Sequence, residues 1–393
     1  MSSINFKSEA LAMKDQLVVW RRDFHRHPEL GFHEVRTSGI VAKHLIHLGL
    51  EVQTGVGKTG VIGLLEGAKP GPVVMLRFDM DALPIHEENQ TDYVSQTPGV
   101  MHACGHDAHT AIGMGIAQLL ARHRDRIGGT VKLVFQPAEE GFGGALAMIQ
   151  DGVLEGPRPS VSIGLHVWNE APIGQALVGA GAVMAAAGIF KIVVRGKGGH
   201  GAQPHRAVDA VLVGSAIVNA LQTIVARNVN PRRTAVVSAC TFHAGNAFNV
   251  IAETAELSGT FRSFDDETHE LLTRRIRQVA EDTAAALGAT AEMDIQPVAP
   301  ATINDAGVAA VLREIAADVL GQAQVSADQF TMGSEDMSEF LKRVPGCFFF
   351  LGSRNDARGF NAPHHNPHFD IDEDVMPLGV AILAQSAMRY LSN

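Results

Sequence analysis

The sequence predicts an α/β protein interrupted by a second, smaller α/β sandwich, and three observations carry that reading. Short apolar runs bounded by Gly and Pro, such as "GPVVMLRFD" at 71–79 and "GTVKLVFQP" at 129–137, have the pattern of buried strands. Stretches with apolar residues at helical spacing lie between and around them: "SEALAMKDQLVVWRRDFH" at 8–25, "HTAIGMGIAQLLARHRDRI" at 109–127 and "GGALAMIQDGVL" at 143–154. From 186 to 296 the order changes to strand "GIFKIVVRG", helix "AVDAVLVGSAIVNALQTIVAR", strands "TAVVSACTFHA" and "TAELSGTFRSF", helix "DETHELLTRRIRQVAEDTAAALG" and strand "TAEMDIQP". That β-α-β-β-α-β order is the split βαβ, ferredoxin-like arrangement, and it reads as an insertion. After it the first pattern resumes, with helices in "DAGVAAVLREIAADVLG" and "SEDMSEFLKRV", strand "GCFFFLGS" and a closing helix "VMPLGVAILAQSAMRYL". The expected organisation is 1–185, an inserted domain 186–296, and 297–393.

Composition narrows the class. With 393 residues, 46% apolar and 19% charged, the chain can bury a substantial core. A formal charge of −10 and a pI near 6.0 offer no basic field for nucleic acid. Three cysteines, Cys104, Cys240 and Cys347, are too few and too distant for a disulfide framework and fit a reducing, cytoplasmic setting. Cys240 and Cys347 lie in apolar strand-like runs and read as core; His25, His27 and His33 read as surface or outer-layer groups. The N-terminus lacks the order of a signal peptide, and no apolar run is expected to reach the length needed to cross a bilayer. "GVGKTG" at 55–60 matches a dinucleotide-binding pattern literally, but a strand-like "VIGLLEG" follows where a helix is required, so a hairpin turn is expected. Neither G-x-S-x-G nor H-E-x-x-H occurs.

The chemistry concentrates in "MHACGHDAHT" at 101–110, where Cys104 and His106 flank a glycine just before a helix. "VFQPAEEG" places Glu139 and Glu140 side by side past a strand, "VSIGLHVWNE" puts His166 at the end of another, and "APHHNPHFD" adds His364, His365 and His368. Each has an ordinary reading taken singly: a buried thiol, a satisfied core histidine, a solvated acidic helix start. Adjacent carboxylates at an apolar strand end are costly without a cation, and open α/β sheets gather ligands beyond the carboxyl ends of their strands. A thiolate, imidazoles and a carboxylate suit zinc, manganese or cobalt better than calcium or magnesium.

The segments "RFDMDALP", "MHACGHDAHT", "FQPAEEG", "GLHVWN", "GGHGAQPH", "FNVIAETAELSGTFRSF", "MGSEDMSEFL" and "HHNPHFDIDE" together resemble the M20 metallopeptidase clan. More narrowly they resemble its amidohydrolase branch of hippurate hydrolases, N-acyl-amino-acid amidohydrolases and auxin-conjugate hydrolases. The similarity runs from about residue 15 to the C-terminus. The resemblance implies a mixed-sheet, metal-dependent catalytic domain in two parts, 1–185 and 297–393, with the insertion as lid and dimerisation domain. It implies that Cys104, His106, Glu140, His166 and His365 hold two divalent ions, Mn²⁺ or Zn²⁺ with Co²⁺ or Ni²⁺ as alternatives. Glu139 would be the general base that activates a metal-bound water. Asp79 stands where the clan usually has histidine, a departure typical of the branch, and Asp81 is assigned an outer-layer role. His200 would reach the active site from the lid, in its own or the partner subunit, and Asn249 and Arg262 resemble the clan's substrate-anchoring residues. From the residues alone, His200 reads as a turn residue and Arg262 as a strand-edge charge. The implied reaction is cleavage of an N-acyl-L-amino acid to a carboxylate and a free amino acid by a homodimer or higher homo-oligomer. The competing readings are a dipeptidase or carboxypeptidase of the same clan, a catalytically silent metal- or amino-acid-binding module, and a structural zinc protein.

Overall fold

A computed structural model describes residues 4–328 and 330–391, and the chain separates into two compact units. The first comprises the chain up to Gly181, then Thr302–Phe330, and then the chain from Asp336 onward; the second is Ala182–Ala301 with Thr331–Glu335.

In the first unit, helices α1 (Phe6–Leu11), α2 (Lys14–Arg26) and α3 (Val35–His47) precede a hairpin of β1 (Glu51–Val56) and β2 (Gly60–Glu66). The single helix expected over 8–25 is broken between Leu11 and Lys14. The "GVGKTG" stretch is the hairpin turn, with Gly57 and Lys58 both at positive φ. Strand β3 (Lys69–Asp79), helix α4 (His106–Arg122), strand β4 (Gly128–Gln136), helix α5 (Gly144–Gln150) and strand β5 (Val161–Pro172) follow. The eight-stranded sheet runs β1, β2, β4, β3, β5, then Gly346–Arg354, Ala176–Leu177 and Val325–Ser326. β4, β3, β5 and Gly346–Arg354 are mutually parallel, and β2 is antiparallel to β4, so the sheet is mixed. The parallel strands are buried along most of their length, which is why their sequences are nearly continuous apolar runs. Helix α4 lies close on the sheet because a Cβ at Gly113 would come within 2.7 Å of both Phe78 and Phe135. "SEDMSEFLKRV" forms only a short helix, Met337–Leu341.

The second unit is a four-stranded antiparallel sheet in the order Ala235–Ala244, Thr254–Ser263, Ala186–Arg195, Thr290–Ala299. Helices Ala210–Asn228 and Asp266–Ala286 complete the β-α-β-β-α-β order. By length and composition, Ala210–Asn228 is apolar enough to cross a membrane, which corrects the expectation that no such run occurs. Its Val213, Ile217, Leu221 and Ile224 belong to the core of this unit, while Val211 and Leu212 are exposed.

Candidate active site

The parallel topology places β4, β3 and β5 side by side with their carboxyl ends together, and Asp79 pairs with Gln136 in the β3–β4 register. Asp79 and Asp81 follow from β3, Glu139 and Glu140 follow β4, and His166 lies on β5. The loop before α4 delivers Cys104, and His106 is the first residue of the helix. Gly105 between them has φ +89°, and a Cβ there would lie 2.4 Å from Val167, so both conformation and space require glycine. The turn after β4 carries Ala138 at φ 55°, pinned where its N–H donates to Glu34 Oε1 at 2.9 Å. His365 is also left-handed, φ 64°, and its N–H donates to the Ala103 carbonyl at 2.8 Å, tying the C-terminal histidine loop to the cysteine loop.

These elements converge. Cys104, His106 and His166 offer donor atoms within 4.8 Å of one another, and so do Cys104, Glu140 and His365, and His106, Glu139 and Glu140. Cys104 Sγ is 3.4 Å from His166 Nε2, and His365 Nε2 is 3.2 Å from Glu140 Oε1. His364 is turned differently, with Nε2 3.0 Å from the Val167 carbonyl.

The tautomers are set by the neighbours. His106 Nδ1 donates to the Asp81 carbonyl at 2.9 Å and lies 3.2 Å from Asp81 Oδ1; His106 Nε2 is buried with no hydrogen-bond partner among the described residues. Asp81 Oδ2 accepts the Glu140 N–H at 3.0 Å, so one carboxylate orients both neighbours. His166 Nδ1 donates to the Val167 carbonyl at 2.6 Å, leaving Nε2 toward Cys104. Burial, with His109 and His364 adding to it, holds the His166 pKa well below the ordinary range and keeps the ring neutral. Burial and then the Glu140, Glu139 and Asp79 carboxylates push the Cys104 thiol well above its usual value. A thiolate here therefore needs a cation beside it. An orphaned imidazole nitrogen, a buried thiol and adjacent carboxylates at one point are a donor set that fits divalent transition metals.

The second unit holds the other three expected residues. His200 pairs with Val250 in a short antiparallel bridge, and the Asn249 carbonyl accepts the Gly201 N–H at 2.8 Å. His200 and Asn249 line one open cavity of about 680 Å³. Arg262 is not among the residues that line it. Half-buried on Thr254–Ser263, its guanidinium donates to Thr260 Oγ1 and to the Phe261 carbonyl.

Cys240 and His25 differ from the sequence reading, and Asp79, His109 and Arg77 join the site without having been given a role there. Cys240 is exposed at a bulge in Ala235–Ala244, whereas Cys347 is core as expected. Asp79 and His109 are fully buried in the cluster, His109 lying one helical turn beyond His106 in "HDAHT". Arg77 donates to Asp79 Oδ2 at 2.6 Å. His25 is fully buried rather than a surface group, with Nδ1 2.7 Å from Asp107 Oδ2 and Nε2 3.2 Å from Glu87 Oε1. Its spacing of four from the buried Arg21 on α2 was the available signal.

The His25 pairing has a pH consequence. Burial and the adjacent Arg21 lower its pKa, but Asp107 and Glu87 outweigh them and hold it at about 9. Arg21, Asp107, Glu87, His102 and Tyr93 are the groups that face it. Because the folded pKa lies above the unfolded value near 6.5, this stabilisation is complete below pH ~6.5 and is lost as pH rises through 9. Unfolding free energy should fall by roughly 3 kcal/mol across that window in wild type. The His25→Gln protein should show a flatter profile in denaturant titrations at matched pH.

Residues 75–389 match the family described as Peptidase family M20/M25/M40. The chain belongs to this family. IAA-amino acid hydrolase ILR1-like 4 of Arabidopsis thaliana is 40% identical over 100% of this chain and 90% of its own. Thermostable carboxypeptidase 1 of Saccharolobus solfataricus is 39% identical over 98% of each. N-acetylcysteine deacetylase of Bacillus subtilis is 38% identical over 97% of this chain and 98% of its own. Among solved structures, YXEP of Bacillus subtilis, described as a dinuclear metal-binding peptidase from the M20 family, superimposes with a TM-score of 0.83. It is 35% identical and covers 97% of this chain and 99% of that one. This M20 protein is therefore a metal-dependent hydrolase of amide bonds in the amidohydrolase branch.

Proposed function

We propose that the M20 chain hydrolyses N-acyl-L-amino acids to a carboxylate and a free amino acid. The observation that carries the reading is the convergence of Cys104, His106, Glu140, His166 and His365 with Glu139 beside them. In this reading those five residues hold two divalent ions, Mn²⁺ or Zn²⁺, with Co²⁺ or Ni²⁺ as substitutes. When bound, such a pair acidifies the attacking water and polarises the scissile carbonyl.

The protein's own groups do the rest. Glu139 takes the proton of the attacking water and returns it to the leaving nitrogen. The fixed tautomers of His106 and His166 present Nε2 as the donor, held by Asp81 and the Val167 carbonyl. In the same reading His200, of this chain or of its partner, complements the oxyanion, and Asn249 and Arg262 engage the amino-acid carboxylate. The names of the plant hydrolase and the deacetylase, proteins acting on amino-acid conjugates, support the acyl-amino-acid side.

The assembly is proposed to be a homodimer, or a higher homo-oligomer, in the cytoplasm. Supporting this, Ala235–Ala244 is an edge strand of its sheet, with Phe242, Phe248 and Val250 exposed in or near it. The free thiols, Cys104 among them, suit a reducing compartment.

The similarity to a carboxypeptidase supports a second reading, in which free peptides are the substrates. A panel of benzoyl-glycine, acetyl-amino acids and simple dipeptides decides between the two. The acylated members should be cleaved with the higher kcat/KM. Preference for the dipeptides would replace the first reading with the second.

A further inference from the structure

Among the residues around the cluster, His109 stands between two of the assigned ligands. It is fully buried on α4. Its ring stacks on that of His106, with centroids 5.4 Å apart and planes at 30°. It meets the His166 ring edge-on, with centroids 4.7 Å apart and planes at 79°.

Both of its nitrogens are engaged. The Val167 N–H donates to His109 Nε2 at 2.9 Å. A backbone N–H can only donate, so the ring proton is on Nδ1, which donates to Asp79 Oδ1 at 2.5 Å. The other Asp79 oxygen accepts Arg77 Nη1 at 2.6 Å. Arg77 is held in turn by Gln136 Oε1 at 2.7 Å and Asp336 Oδ1 at 3.1 Å. A histidine engaged at both nitrogens has no lone pair left to coordinate, and Asp79 has an N–H donor on each oxygen.

We infer that His109 is a positioning residue, a wedge keyed to Asp79 and to the β5 backbone that fixes the ring planes of His106 and His166. Asp79 serves this wedge instead of a metal ion. The inference rests on the metal-centre reading above. The physical reason is rotational. Contacts at Nδ1 alone, to Asp81 for His106 and to the Val167 carbonyl for His166, leave each ligand imidazole some freedom to rock about that point, and a third ring packed against both limits it. Outer-layer partners of this kind typically contribute about 10–100-fold to metal affinity.

The test is a Co²⁺ titration of metal-stripped wild type, His109→Phe and His109→Asn, reading stoichiometry, affinity and the Co²⁺ absorption spectrum. Steady-state kinetics on the best acyl substrate of the panel follow. His109→Phe should bind about 10–100-fold more weakly, with a shifted spectrum and a lower kcat at nearly unchanged KM. His109→Asn, whose amide can donate to Asp79, should recover part of each. Should His109→Phe fail to fold, His109→Asn and His109→Gln carry the comparison, since each keeps one of the two hydrogen bonds. Wild-type affinity and spectrum in the folded variants overturn the inference. A wild-type chain that binds no Co²⁺ overturns the metal-centre reading itself, which is a separate and visible result.

Discussion

Glu139→Ala should keep its fold and its metal ions while losing at least about 10²–10⁴-fold in kcat, the usual contribution of a positioned general base. Glu139 leaves β4 one residue beyond the strained Ala138, and Glu34 pins that turn through the Ala138 N–H. Its oxygen lies within 4.8 Å of donor atoms on both His106 and Glu140. The carboxylate is thus placed to reach a water at the cluster, while its neighbour Glu140 points to Cys104 and His365. Glu139→Gln, nearly the same size but unable to accept a proton, should fail as badly as alanine. Metal content measured beside turnover separates the roles: loss of metal together with activity would make Glu139 a ligand, and retained turnover would remove it from the chemistry.

The largest expected effect on stability is at Arg21. Its guanidinium is fully buried and reaches three carboxylates: Asp107 at 2.9 Å, Asp370 at 2.6 Å and Glu373 at 3.2 Å. Tyr93 also donates to Asp370 at 2.6 Å, and Asn169 donates to the Asp370 carbonyl at 2.8 Å. Asp107 adjoins His106, Asp370 follows the His365 loop, and Asn169 follows His166, so the network fastens three segments that carry site residues. Arg21→Met removes the cation and leaves buried carboxylates with less compensation. Breaking one side of such a pair costs about 3–5 kcal/mol. Arg21→Lys should recover little, because an ammonium cannot span three carboxylates in the geometry of the planar fork. Urea unfolding of metal-free protein checks this. A change under about 1 kcal/mol would mean that the network is relieved by rearrangement and does not hold the site.

How much of this was legible in the sequence depends on the range over which each signal acts. The β-α-β-β-α-β order of the second unit was readable because helix and strand periodicities are local. The clustering of Cys104, His106, Glu140 and His166 was readable because strand ends carry ligand-type residues and parallel sheets bring those ends together. The Arg21–Asp370 pair was not, since its partners are 349 positions apart and no period connects them. The pairing of Asp79 with His109 was not legible for a similar reason: the hydrogen bond between them is made across 30 positions between a strand and a helix. The break between α1 and α2 has no Pro or Gly to announce it. Ala10, Met13 and Leu17 all turn into the same core at the spacing of one unbroken helix, so the apolar pattern runs straight through the break.

In the proposed reading, Cys104, His106, Glu140, His166 and His365 assemble a metal-dependent amidohydrolase site. The most direct measurement is amino-acid release from the best acyl substrate by metal-stripped protein, titrated with Mn²⁺ or Zn²⁺. Release should be negligible without metal and should recover fully as two ions bind per chain. Hydrolysis that survives complete stripping, or two bound ions with no hydrolysis of any amide on the panel, would contradict that reading.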